Sequence, residues 1–212
     1  MNKTLIGFNK IKTDYIAWEN AVPHRVLVCA GTGCLVNGSM KVYEEFVKTI
    51  KEANLNVIVE LKDEEGDVFV SKTGCQGFCQ IGPLVTILPE GIFYTRVKPK
   101  DVKDIVETTI KKGDILHRLL YIEPNMLKVC KETSEIPFYQ KQRRFVLGNC
   151  GMTDPEDIRE YIERDGYVSA ARACKDMSPE DICRTILASG IRGRGGGGSL
   201  TGTDWEMAGQ QP

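Results

Sequence analysis

The chain has 212 residues, 42% of them hydrophobic and 27% charged, which excludes disorder over most of its length and suits one large or two small domains. The 28 basic and 29 acidic residues leave a formal charge of −1, and no basic stretch exceeds KQRR at 141–144, so no stripe for a nucleic-acid partner is present. No run approaches the ~18 apolar residues of a membrane span and the start lacks a signal peptide's apolar core, so a cytoplasmic address is expected, where eight cysteines point to metal or redox chemistry.

After an unpatterned leader (1–24), RVLVC at 25–29 reads as a short buried strand. Ser39 can cap a helix reaching Ala53, with Val42, Phe46, Val47 and Ile50 on one face. A strand at 56–61 and a turn at 63–67 follow. A third strand, 67–74, delivers Cys75, and PLVTIL, PEG and IFYTRV (83–97) give a hairpin. A helix from Pro99 to Lys112 stops at Gly113. The order β-α-β-β-β-α over 25–113 predicts an α/β, thioredoxin-like domain. Residues 114–152 read as a linker lying on some surface, with basic residues around Phe138–Phe145. Asp154-Pro155-Glu156-Asp157 reads as a helix start with Ile158, Tyr161 and Ile162 inward; a second helix covers Tyr167–Asp176; and Ser178-Pro179-Glu180-Asp181 starts a third that stops at Gly190.

The chemistry-bearing residues are four cysteines in two loops, Cys29-x4-Cys34 and Cys75-x3-Cys79, each loop at the end of a predicted strand. A [2Fe–2S] cluster needs four thiolates, two per iron. Gly31, Gly33, Gly74 and Gly77 let backbone approach the sulfurs and aim N–H groups at them, while Phe78, Ile81 and Pro83 can shield them from water. Zinc is the main rival, although structural zinc sites more often use C-x2-C knuckles. A disulfide exchanger is expected to show C-x-x-C, and buried thiols without a metal are commonly single. Cys130, Cys150, Cys174 and Cys183 have no paired spacing, and Cys174 and Cys183 read as core thiols. Neither His24 nor His117 lies in a motif, and no catalytic acid or base is expected.

Seven of the thirteen residues from Gly190 to Gly202 are glycine. Such a loop offers backbone N–H groups to phosphate. Gly193-Arg194-Gly195-Gly196-Gly197-Gly198 satisfies G-x-G-x-x-G, but it follows a helix, so the dinucleotide fingerprint is not the explanation. Read without its flanks, the stretch serves equally well as a flexible linker.

RVLVCAGTGC and KTGCQGFCQIGPL resemble the thioredoxin-like [2Fe–2S] ferredoxin domain at the front of NuoF-like, NADH-oxidising flavoprotein subunits of NAD(P)H-linked iron hydrogenases and related dehydrogenases. LGNCGMTDPEDIREYIERDGYVSAARAC and SGIRGRGGGGSLTGTDWEMA resemble the start of their flavoprotein domain (153–212 here). The resemblance implies that Cys29 and Cys34 ligate one iron and Cys75 and Cys79 the other. It further implies a loop of Gly193, Arg194, Gly195, Gly196, Gly197, Gly198 and Gly202 that cradles FMN beside an NADH pocket. The family has Phe-Pro where this chain has Ser199-Leu200, and Lys where it has Asp204. An aspartate facing a phosphate costs on the order of several kcal/mol at an effective dielectric of ~20. The expectation is a truncated or separately encoded front portion of such a subunit. It carries one electron at a time among iron–sulfur and flavoprotein partners and does not oxidise NADH alone. FMN and NAD(H) would require further sequence or a partner chain. A zinc-holding docking domain without redox activity is the alternative.

Overall fold

The branched and aromatic runs pair into one five-stranded sheet: β1 (His24–Cys29), β2 (Val57–Ile58), β3 (Val68–Thr73), β4 (Val85–Leu88) and β5 (Ile92–Tyr94), in the order β2-β3-β1-β4-β5. The structure, a computed structural model, describes residues 3–58 and 66–211, so half of the strand expected at 56–61 and most of the turn at 63–67 lie outside the described residues. β1 runs parallel to β3, with Cys29 opposite Thr73, and antiparallel to β4; β4 and β5 form the expected hairpin. Because side chains alternate along a strand, Val26 and Val28 face one side of β1 while Arg25 and Cys29 face the other. The chain divides into two compact units, Lys12–Glu163 around this sheet and a second made of residues up to Ile11 and from Arg164 onward.

The helices are α1 (Lys3–Ala21), α2 (Thr32–Val36), α3 (Ser39–Glu52) and α4 (Pro99–Ile105, extended by a π turn, Val106–Ile110). On one side of the sheet, Val42, Phe46 and Ile50 of α3 and Val102 and Ile105 of α4 pack with Val26, Val28, Val68, Val70, Val85, Ile87 and Tyr94, all fully buried. Each such side chain contributes about 1.5–3 kcal/mol by leaving water. The Tyr94 hydroxyl is satisfied inside this core by Thr109 Oγ1 at 2.6 Å and the Leu116 N–H at 3.0 Å.

The other side corrects the sequence reading. The leader expected to be unpatterned is helix α1. Tyr15 is buried, and Trp18 meets the Phe69 ring edge-on at 5.1 Å. Segment 114–152 carries a small ribbon, β6 (Tyr121–Ile122) with β7 (Val129–Cys130), and the one-turn α5 (Pro137–Gln140). The helix expected from Asp154 begins only at Ile158, as α6 (Ile158–Glu163). Ile158 and Tyr161, expected inward, are about half exposed, and the buried positions are Asp157, Glu160 and Ile162. The reason lies in β1. Arg25 is buried in mid-sheet, where its guanidinium bonds Ser71 Oγ at 3.1 Å and needs a carboxylate, which Glu160 supplies. Helix register follows that pair and overrides the apolar pattern.

In the second unit, α7 (Val168–Asp176), α8 (Pro179–Ala188) and α9 (Thr201–Gly209) follow in order. The Ser178 cap is present: its hydroxyl accepts from the Asp181 N–H at 3.1 Å. Cys174, expected in a core, is exposed, and Cys183 is half-buried. Helix α9 had no counterpart in the sequence reading.

Candidate metal centre

The centre is built at one end of the sheet, where β1 ends at Cys29 and β3 ends two residues before Cys75. Cys29 and Cys34 are buried, Cys79 is half-buried and Cys75 is exposed. Helix α2 carries Cys34, and a single 3-10 turn, Cys79–Ile81, carries Cys79. The two loops touch through glycine. A Cβ on Gly31 would lie 2.8 Å from Cys75 Cβ, one on Gly33 would lie 2.9 Å from Cys79 Sγ, and one on Gly82 would lie 2.7 Å from Cys34 Sγ. All four sequence-predicted cysteines are therefore brought together, with each glycine set against a sulfur or the carbon that bears it. Gly77 adds a left-handed turn (φ +83°) between Cys75 and Cys79.

The electrostatics match this convergence. A hydrogen bond from Cys34 pulls the Cys29 thiol down to about 6 against the opposing effect of burial, helped by the N–H groups of Gln76 and Gly31. The same contact raises Cys34, with burial adding to the effect. Burial and a hydrogen bond to Cys75 raise Cys79, and the charge of Cys29 is felt there as well. The thiols thus form two couples, 29 with 34 and 75 with 79, close enough to interact. Four donors around one ion are what structural zinc requires; couples on either side of a two-metal core are what a [2Fe–2S] cluster requires. The donor set fits the cluster.

The segment expected as a linker supplies residues that spacing could not reveal. Phe78 stacks on Phe138 at 4.8 Å and meets Tyr139 edge-on at 5.9 Å. The Tyr139 hydroxyl donates to the Gln76 carbonyl at 2.9 Å, and Arg144 Nη2 donates to the Cys75 carbonyl at 3.3 Å. Buried Thr73 accepts from the Gly151 N–H at 3.0 Å and donates to the Thr153 carbonyl at 2.8 Å, and a Cβ on Gly74 would lie 3.4 Å from Cys150 Sγ. The one visible signal was the basic run at 141–144, whose expected place on a surface gave no hint of the Cys75 loop.

The glycine loop closes on itself. Arg192 bridges to Leu200, and its guanidinium donates to the Gly198 carbonyl at 2.8 Å. Gly193 N–H donates to the Ser199 carbonyl at 2.9 Å, and Ser199 Oγ donates to Asp204 at 2.7 Å. Gly195, Gly196 and Gly197 have open space around them, and Arg194 is exposed. Gly202 instead serves packing, since a Cβ there would sit 2.4 Å from the Leu187 backbone nitrogen of α8.

A thioredoxin-like sheet that ends in four convergent thiols defines an iron–sulfur electron-transfer module. Residues 14–110 match the thioredoxin-like [2Fe-2S] ferredoxin family. A 2Fe-2S ferredoxin of Clostridium pasteurianum is 35% identical over 102 residues, covering 45% of this chain and 93% of that protein. The chain belongs to the thioredoxin-like [2Fe-2S] ferredoxin family, and its family function is electron transfer. It is also similar to HndC, a subunit of the NADP-reducing hydrogenase of Solidesulfovibrio fructosivorans, 42% identical over 69 residues. A subunit of the NADH-quinone oxidoreductase of Buchnera aphidicola is 43% identical over 53 residues. Those matches cover 32% and 25% of this chain but only 14% and 12% of the two larger proteins. No described helix is long and apolar enough to cross a membrane.

Close packing makes one glycine testable. Gly31→Ala is expected to lose about 1–3 kcal/mol of stability by overpacking and to lower metal content, because the new methyl meets the Cys75 backbone at 3.0 Å. Gly195→Ala, with nothing within 4 Å, is expected to stay within about 0.5 kcal/mol of the parent. Urea denaturation with metal analysis checks both.

Proposed function

We propose that Cys29 and Cys34 hold one iron of a [2Fe–2S] cluster, that Cys75 and Cys79 hold the other, and that the chain is a one-electron carrier in an NAD(P)H dehydrogenase or NAD(P)-linked hydrogenase assembly. The observation that carries this reading is the glycine-mediated contact of two thiol-bearing loops. The cluster, when bound, supplies a site that gains and loses single electrons. The chain's own residues fix the thiolates, exclude water on the buried side through Ile81, Leu84 and Phe93, and leave an exposed edge at Cys75. Electrons enter and leave by that edge. No proton has to move, so no general acid or base is required.

The place in the assembly is a station between a flavin and a further iron–sulfur subunit, supported by the similarity to the hydrogenase and oxidoreductase subunits. The open backbone of Gly195–Gly197 and the exposed Arg194 suit a flavin phosphate, whereas Asp204 opposes one. FMN and NAD(H) binding accordingly need sequence or a partner beyond these residues. Stepwise reduction with a calibrated donor tests the carrier role. Uptake of one electron per chain with bleaching of the visible bands is expected, and a protein without a reducible chromophore would defeat it.

A further inference from the structure

Two successive peptide units in the Cys75–Cys79 loop are each gripped at both ends. The carbonyl of the Cys75–Gln76 unit accepts from Arg144 Nη2 at 3.3 Å, while its N–H, on Gln76, is directed at the Cys29 sulfur. The next unit repeats the arrangement. Its carbonyl, on Gln76, accepts from the Tyr139 hydroxyl at 2.9 Å, and its N–H, on Gly77, donates to Cys75 Sγ at 3.4 Å. Arg144 also lies 5.8 Å over the Tyr139 ring and donates to the Cys150 carbonyl at 3.5 Å. Tyr139 is fixed in turn by edge-on contacts with Phe78 and Phe93. Both residues lie beyond residue 110, where the match to the ferredoxin family ends.

We propose that Tyr139 and Arg144 are positioning residues that raise the reduction potential of the metal centre by polarising these two peptide units. The inference rests on the assignment of the four cysteines as ligands. A donor on a carbonyl oxygen strengthens the hydrogen bond made by the N–H of the same peptide. N–H groups on ligand sulfurs favour the more negative, reduced state of a thiolate cluster, and so does a nearby positive charge. Arg144 acts in both ways, Tyr139 only in the first. Turning the carbonyls outward also keeps their negative ends away from the sulfurs. A segment outside the ferredoxin module thereby sets a property of the module.

The test is a redox titration of the full chain, followed by visible absorption and EPR, for the parent, Arg144→Gln, Arg144→Lys and Tyr139→Phe. Arg144→Gln is expected to move the midpoint to more negative potential, by an amount that shrinks at high salt. Tyr139→Phe is expected to move it the same way with little salt dependence, and Arg144→Lys to stay near the parent. A purely structural role would lower cluster content or the unfolding midpoint and leave the potential of the remaining clusters unmoved. Unchanged potentials in both Arg144→Gln and Tyr139→Phe would overturn the inference while the cluster assignment stands. A parent without a reducible cluster would overturn the assignment and the inference together. Should Arg144→Gln not fold, Tyr139→Phe, which keeps the ring, decides the matter alone.

Discussion

Cys29→Ala is expected to abolish the visible charge-transfer absorption of the purified protein, while Cys130→Ala keeps it. Both thiols are fully buried and belong to one apolar cluster with Ile81, Leu84 and Phe93. They differ in what reaches the sulfur. Cys29 is hydrogen-bonded to Cys34 and faced by the N–H groups of Gln76 and Gly31, contacts that pull its thiol down to about 6. Cys130 is raised by burial, and its sulfur points to the Lys128 and Glu135 carbonyls. Cys29 Sγ also lies 3.8 Å from the Gly74 carbonyl, so what sets it apart is the neighbouring Cys34 and the two N–H groups that face it. Under the proposed ligand assignment, loss of Cys29 would leave one iron with a single protein ligand, and two tetrahedral sites could not be completed. Cys130→Ala should cost about 1–3 kcal/mol of stability as a core truncation and nothing of the chromophore. Absorption spectra of the two variants, normalised to protein, check the contrast.

The second large effect is on folding. Glu160→Ala is expected to cost about 3 kcal/mol in chemical denaturation, because removing one member of a buried ion pair leaves the other uncompensated. Arg25 then keeps Ser71, the partly exposed Glu19 and the face of the Phe69 ring at 4.8 Å, none of which is a buried carboxylate. Glu160→Gln separates charge from shape. Burial holds the Glu160 carboxyl above its ordinary value even against Arg25. The folded state therefore binds that proton more tightly than the unfolded chain does. This group's contribution to stability is fully present below the unfolded carboxyl value and is lost as pH rises through the folded one. The Gln variant should show a flatter decline across that window. An unchanged profile would mean that burial is not what governs this carboxyl.

Much of the sheet and of the four-thiol site was legible because local signals agreed with the global fold. β1, α3, β3 and the β4–β5 hairpin stand close to where the branched runs and the Pro-Glu-Gly turn put them, but the expected Ser39 cap is absent: Gly38, in the left-handed conformation, precedes α3, and Ser39 is its buried first residue. Cys29, Cys34, Cys75 and Cys79 were legible as a set from glycine-flanked pairing. What failed depended on distant partners. Tyr15 and Trp18 of α1 gain their meaning only from Phe69 and Arg159, residues far along the chain. The face of α6 was misassigned because a buried arginine in β1 selected Glu160 over Ile158 and Tyr161. Tyr139 and Arg144 carry no spacing signal, since each acts on a backbone carbonyl more than sixty residues away. Helix α9 was hidden by the glycine run before it, and Gly202, in its first turn, proves to be a packing contact against Leu187.

Iron, zinc and acid-labile sulfide, quantified on anaerobically purified protein whose reduced form is then examined by EPR, decide whether these sulfurs meet around a binuclear core. Equal amounts of iron and sulfide, near two of each per chain, with a signal that appears only on reduction, is the predicted result. One zinc per chain, no sulfide and a silent spectrum would contradict it.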